Sequence, residues 1–281
     1  MKRTSLNLIC LLMLVFMIPD LALAQISLSP TAVFIHDQTN VGTLYVNNTS
    51  QEPQEVTISS EFSYPGSDSQ GNMVTISNDS VNAARFDFTG NMKVFPRQFV
   101  LQPGKKQAVR LQVKPMPSKP EGVYWGRIIV SSNAVSKDVE AVKVTEGMVA
   151  KINYLFKQNI PAFYVKGKVS TGLTQGKVIT SVENGKLVAI VQLTPTGNSP
   201  FNGSVTARLI DSAGKEVANQ QQTMVAYFEV LRRIELTNPP QGLPHGNYTL
   251  ELTYETKRTD ISSADLAQAP PLKKIVAVEI R

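Results

Sequence analysis

Only two histidines and one cysteine occur in 281 residues, a scant supply of the side chains most used in acid–base, nucleophilic and metal chemistry. His36-Asp37 could reach a metal ion, but a protein site needs three or four such ligands and no further ones are spaced to join them. His245 lies between Pro244 and Gly246, the setting of a turn residue. HExxH, CxxC and glycine-rich phosphate loops do not occur. The serines of "GNSPFNG" lack the GxSxG elbow of a hydrolase, and neither histidine has the carboxylate context of a Ser-His-Asp triad. Asn78 and Asn247 head Asn-x-Ser/Thr triplets, which matter only where the host glycosylates. These residues speak against an enzyme, and equally against a cofactor, a metal or a small-molecule substrate.

The chain opens with a targeting signal. "MKR" is followed by the apolar "LNLICLLMLVFMI" and by "ALA" at Ala22 to Ala24, the small-residue pattern a signal peptidase reads. Cleavage after Ala24 is expected, which makes residues 1–24 a removed signal peptide and the mature protein an exported one. Cys10 leaves with the signal, so no disulfide is available and stability must come from a core. The formal charge of +6 is spread along the chain rather than gathered in a patch. That distribution gives no footprint for nucleic acid.

What remains alternates with period two. Leu44 and Val46 in "TLYVNN", Val56 and Ile58 in "EVTISSEF", and Val109, Leu111 and Val113 in "AVRLQV" each place apolar residues on one face of a strand. Asn184-Gly185 divides "VITSVENGKLVAIVQL" into two such runs, and Asn-Gly suits the two positive φ values of a type I′ turn. "SVTARLIDSAGKEV", "HGNYTLELTYE" and "KKIVAVEIR" continue the pattern. "FPRQFVLQPGKKQAVRLQV", with Pro103-Gly104 at its centre, reads as another hairpin. Its Phe99, Leu101, Val109, Leu111 and Val113 are expected in a core, with Lys105 and Lys106 in solvent. Short strands separated by turn residues predict an all-β protein of two immunoglobulin-like β-sandwich domains set at an angle, with a cleft between them. Residues 25–165 and 166–281 are the expected domains, with the boundary region at Lys166 to Gly176.

Taken together, four segments resemble the periplasmic chaperones of the chaperone–usher pathway. "ISLSPTAVFIHDQTNVGTLYVNNTSQEPQEVTI" is similar to that family's opening strands, and "FPRQFVLQPGKKQAVRLQV" to its Pro-Gly segment. "EGVYWGRIIV" resembles its Tyr-Trp strand, and "KINYLFKQNIPAFYVKG" the end of its first domain, closer to the archaic branch. The resemblance covers roughly residues 26–165 and is weaker beyond. It implies donor-strand complementation: the chaperone lends an edge strand to a pilus subunit that lacks one, caps it against aggregation, and delivers it to an outer-membrane usher. Periplasmic location, pilus subunits and an usher as partners, and a self-capping dimer when idle are what it implies further.

The lending strand is expected in "VEAVKVTEGMVAKINYLFK". Val142 and Val144 share one face, and Met148, Ala150 and Ile152 continue the same parity, with Glu146 and Gly147 interrupting the stripe. The same alternation would also suit an ordinary core strand. The family further binds a subunit's terminal carboxylate with two basic residues in the cleft. This sequence has Ala32 where the first is aligned, and Lys151 or Lys157 as candidates for the second. The alternative function is an exported structural or adhesive protein built on the same domains.

Overall fold

The computed structural model describes residues 25–135, 154–237 and 242–280. The expected signal peptide, Lys151 and the stripe of Val142, Val144, Met148, Ala150 and Ile152 lie outside the described residues.

Nine of the first eleven strands build one sandwich. β1 (Ile26–Ser29), β3 (Val41–Asn48), β9 (Lys106–Val113) and β7 (Met92–Phe95) form one sheet in the order β1-β3-β9-β7. The facing sheet runs β2-β11-β10-β4-β8, from β2 (Val33–His36), β11 (Phe156–Lys166), β10 (Gly122–Ala134), β4 (Gln54–Glu61) and β8 (Gln98–Leu101). Pro30 and Thr31 carry the opening strand from one sheet to the other, so that β2 pairs in parallel with β11 while β1 pairs antiparallel with β3. The alternation read in the sequence fills the space between them: Leu44, Val46, Val56, Ile58, Val109, Leu111 and Val113 share one buried cluster. Leu101 joins it and Phe99 packs partly buried against it.

The segment around Pro103-Gly104 corrects an expectation. β8 and β9 do not pair as a hairpin: β8 lies against β4, and β9 lies between β3 and β7 in the opposite sheet. The turn is an arch across the sandwich. Buried Asn48 ties it, its side-chain amide donating to the Leu101 and Glu52 carbonyls at 2.8 Å each. Gly104 at φ +67 donates its N–H to the Asn48 carbonyl. Strands that pair and strands that face each other across a core show the same alternation, so the pattern alone could not separate them. Lys105 and Lys106 are exposed, with the Lys106 ammonium 3.9 Å above the Tyr45 ring.

Between β4 and β7 the chain inserts a two-stranded hairpin, β5 (Tyr64–Ser67) and β6 (Met73–Ile76), and a short helix α1 (Ser80–Phe86). Asp79 caps the helix, accepting the Asn82 N–H at 2.9 Å and the Tyr64 hydroxyl at 2.5 Å. Sequence periodicity marks none of this insertion.

The second sandwich packs β12 (Thr171–Glu183), β13 (Lys186–Gly197) and β16 (Val230–Leu236) against β15 (Glu216–Ala226), β14 (Phe201–Asp211), β17 (Gly246–Glu255) and β18 (Leu272–Ile280). Asn184 and Gly185 both have positive φ, 48° and 73°, as the hairpin they close requires. The fold is therefore all-β, with two sandwiches, as the alternation indicates.

Candidate binding cleft and strand edge

β10 and β11 each show two different faces. Their even-numbered residues Tyr124, Ile128, Val130, Ile160, Ala162 and Tyr164 point into the first sandwich. The odd-numbered Val123, Trp125, Phe163 and Val165 belong instead to a separate cluster that includes Tyr227 from the turn between β15 and β16. The only tryptophan is thereby the centre of the domain interface. Its ring stacks on Phe86 at 4.4 Å and meets Tyr227 and Phe228 edge-on at 5.0 and 5.8 Å. Burial pushes the Tyr227 hydroxyl up to about 12, with the charges of Arg127 and Arg258 pulling it the other way.

Beside this cluster opens a cleft of about 780 Å³, bounded by Thr31, Arg127 and Phe163 of the first sandwich and by Tyr227, Arg232 and Arg258 of the second. Its cations differ in how they are neutralised. Arg258 donates to both Asp260 oxygens, at 2.8 and 2.5 Å. Arg233 is held between Glu183 and Glu235 at 2.7 and 2.8 Å. Among the described residues Arg127 has no ion pair, and the only side-chain hydrogen bond of Arg232 is to the Val225 carbonyl at 2.6 Å. The cleft therefore keeps positive charge in reserve for an anion.

Thr31 closes the cleft across the domains, donating its hydroxyl to the Asp260 carbonyl at 3.0 Å. The Asp260 carboxyl sits below the usual carboxylate range, chiefly because Arg258 hydrogen-bonds to it. A depressed carboxyl stabilises the fold above its unfolded value of about 3.9 and loses that contribution as pH falls through the lower folded value. Asp260→Asn should accordingly be less stable than the parent at pH 7, and the gap should close in acid, once the folded carboxyl is protonated. Urea titrations at pH 7 and in acid check this; a gap independent of pH would contradict it.

The other notable surface is an edge. β2 covers β11 only from Ala162 to Val165, and no backbone pairing reaches that side of the strand from 156 to 161 among the described residues. The Gln158 side chain alone bridges outward there, to the Ile26 carbonyl at 2.8 Å. β10 stays paired with β11 only as far as Ser132 opposite Phe156. Just before this end the even-numbered face leaves its own core: Tyr154 and Phe156 are 63% and 43% exposed, and Leu155 between them is 59% exposed. Large apolar side chains at an unpaired edge are what a soluble protein ordinarily avoids.

Of the residues expected to bind, Lys157 stands exposed on β11 opposite Ser131 and does not line the cleft. Ala32 is buried in the interdomain cluster, where an anion ligand has no place. His36 lies 3.8 Å from Asp265 across the domains, and His245 is an exposed turn residue. None of the cleft arginines is among the residues expected from the sequence to bind. Arg127 carried a signal, being two residues beyond Trp125 on the same strand face; Arg232 and Arg258 reach the cleft only through tertiary packing.

No family model matches the chain, and no curated protein matches it. Solved structures do resemble it. The crystal structure of the YadV chaperone is 12% identical, covers 91% of this chain and 100% of its own, and gives a TM-score of 0.46. The CsuC–CsuE chaperone–tip adhesion subunit complex of the archaic Csu pili of Acinetobacter baumannii is 10% identical, covering 90% and 98%, with a TM-score of 0.43. The Salmonella enterica SafA pilin in complex with the SafB chaperone gives 14%, 90% and 97%, and 0.41.

Proposed function

We propose that this protein is a periplasmic chaperone of the chaperone–usher pathway, which captures pilus subunits by lending them a strand and passes them to an outer-membrane usher. The observation that carries the reading is the open end of β11, where Tyr154, Leu155 and Phe156 lie exposed beyond the core of their own sandwich. Tyr154 and Phe156 have the same even parity in the sequence as Val142, Val144, Met148, Ala150 and Ile152, which lie outside the described residues. A subunit lacking one strand offers a groove of matching period. Its edge would pair with the β11 backbone while alternate apolar side chains enter its core.

Two anchors then hold the subunit at different points. The strand supplies apolar contact and backbone pairing. In the cleft, the uncompensated Arg127, with Arg258 beside it, would take the subunit's terminal carboxylate by charge-assisted hydrogen bonds. We assign that role to Arg127 ahead of Lys157, which does not line the cleft, while Lys151 lies outside the described residues.

The test is co-purification of the tagged protein from the periplasm of its native host, with partners identified by mass spectrometry. A stoichiometric, small β-rich partner that is unstable alone is expected. Arg127→Ala should weaken its capture by about tenfold or more, the loss of one hydrogen bond to a charged group. A protein recovered without partner while pili are being made would favour the structural or adhesive alternative instead.

A further inference from the structure

Four edges bound the two sheets of the second sandwich, and three of them are guarded. β12 is broken by a bulge between Gln175 and Val178 and carries Lys177. β18 carries Lys273 and Lys274. β16 is capped by the first domain: the Leu231 N–H donates to the Ser67 hydroxyl at 2.9 Å, and the Arg233 N–H to the Gly71 carbonyl at 3.0 Å. These are the devices by which sheets avoid unwanted pairing.

β15 has none of them in its middle. Residues 219–223 read Asn-Gln-Gln-Gln-Thr, with no charge, no proline and no bulge. The strand pairs on one side with β14 and on the other with nothing among the described residues. The outward groups can be identified. The Val225 carbonyl accepts from Arg232 and the Gln221 carbonyl from the Gln220 side chain, so both face away from β14. In a strand, alternate residues present both backbone groups to the same side. Asn219 and Thr223 therefore share that outward direction with Gln221 and Val225.

Arg232 stands at the end of this row. It occupies an inward position of β16, is 6% exposed, and has a buried Nε with no hydrogen-bond partner. No carboxylate offsets it among the described residues. A buried guanidinium with an unused donor is costly unless something anionic completes it. Gln220, Gln222, Thr223 and Arg232 all line the same cleft as Arg127.

We infer that the open edge of β15 together with Arg232 is a second strand-accepting site, and that its occupant is an extended, acidic segment of the captured subunit. A polar edge selects a polar partner strand; the uncompensated guanidinium at its end selects a carboxylate. The site gives the second domain a direct part in binding, distinct from the apolar edge of β11 and from a chain-terminal carboxylate. The identity of the occupant rests on the chaperone reading, whereas the preference for an acidic strand rests on the edge itself.

The probe is a six-residue peptide of alternating Thr and Asp, acetylated and amidated so that it has no terminal charge, with a twin carrying Asn for Asp. Titrated into the isotopically labelled protein and followed by NMR, the acidic peptide should shift the amides of Asn219, Gln221 and Thr223 and the Nε–H of Arg232. It should bind about tenfold more tightly than its neutral twin, as one charge-assisted contact would give. Thr223→Pro, which removes an outward donor from an exposed position, should abolish both. Arg232→Met should bring the acidic peptide to the level of the twin. Equal binding of the two peptides by the parent protein, or shifts confined to β11, would overturn the site. Shifts at β15 that grow with protein concentration alone would make the occupant a second copy of this chain and overturn the assignment to a subunit. Failure of the chaperone reading would show separately, as the absence of any co-purified subunit.

Discussion

Tyr154→Asp combined with Phe156→Asp should abolish subunit capture and leave the protein as stable as before. Both side chains are exposed in the free protein, at 63% and 43%, and their rings lie 6.2 Å apart at the N-terminal end of β11. Charging them removes little from the core, since exposed substitutions ordinarily change stability by about 0.5 kcal/mol or less. In a subunit's groove the balance reverses. Each ring would contribute about 1.5–3 kcal/mol by burial, and a carboxylate put in its place would be desolvated without a partner. Loss of the burial alone amounts to roughly a hundredfold or more for the pair. The measurement is pull-down of subunit beside a thermal melt. Undiminished capture with an unchanged melt would remove β11 as the lending strand. Leu155, of the opposite parity, serves as the internal comparison: on pairing with a subunit it would point away from the groove, and Leu155→Asp should cost capture far less.

Period two identified the strands because residues such as Val109, Leu111 and Val113 must all reach one core from one sheet. It could not say which strands are neighbours, and the arch at Pro103-Gly104 is the consequence: β8 and β9 face each other across the core instead of pairing. The inserted hairpin and α1 were invisible for another reason. No α1 residue is buried, and the hairpin's exposed strand β6 alternates only between partly and fully exposed, so neither element has a strong apolar stripe. The cleft was legible only in part. Trp125 and Arg127 share a strand face and could be read together, but Arg232 and Arg258 come from elements more than a hundred residues away, placed there by the packing of one domain on the other.

That packing has a single keystone. Trp125→Ala should destabilise the protein by about 3–5 kcal/mol, the range for truncating a large buried aromatic. It should also do so unevenly. The indole is 2% exposed and touches Phe62 and Phe86 from its own domain and Tyr227 and Phe228 from the other. Neither sandwich core contains it; both of those clusters are built from other residues. Removing it therefore empties the joint while sparing the two cores. Calorimetry should show one unfolding transition in the parent and two in the variant, because independent domains no longer share the interface energy. Trp125→Phe should restore most of the loss. The indole Nε1 is buried without a hydrogen-bond partner, so phenylalanine forfeits ring area but no hydrogen bond. A single lowered transition in Trp125→Ala would mean that the domains are coupled elsewhere, through Thr31 and Asp260 or through the clasp of Ser67 and Gly71 on β16. Two transitions would make the cleft's shape depend on this ring, and subunit capture should then fall along with the joint even though every cleft arginine is still present.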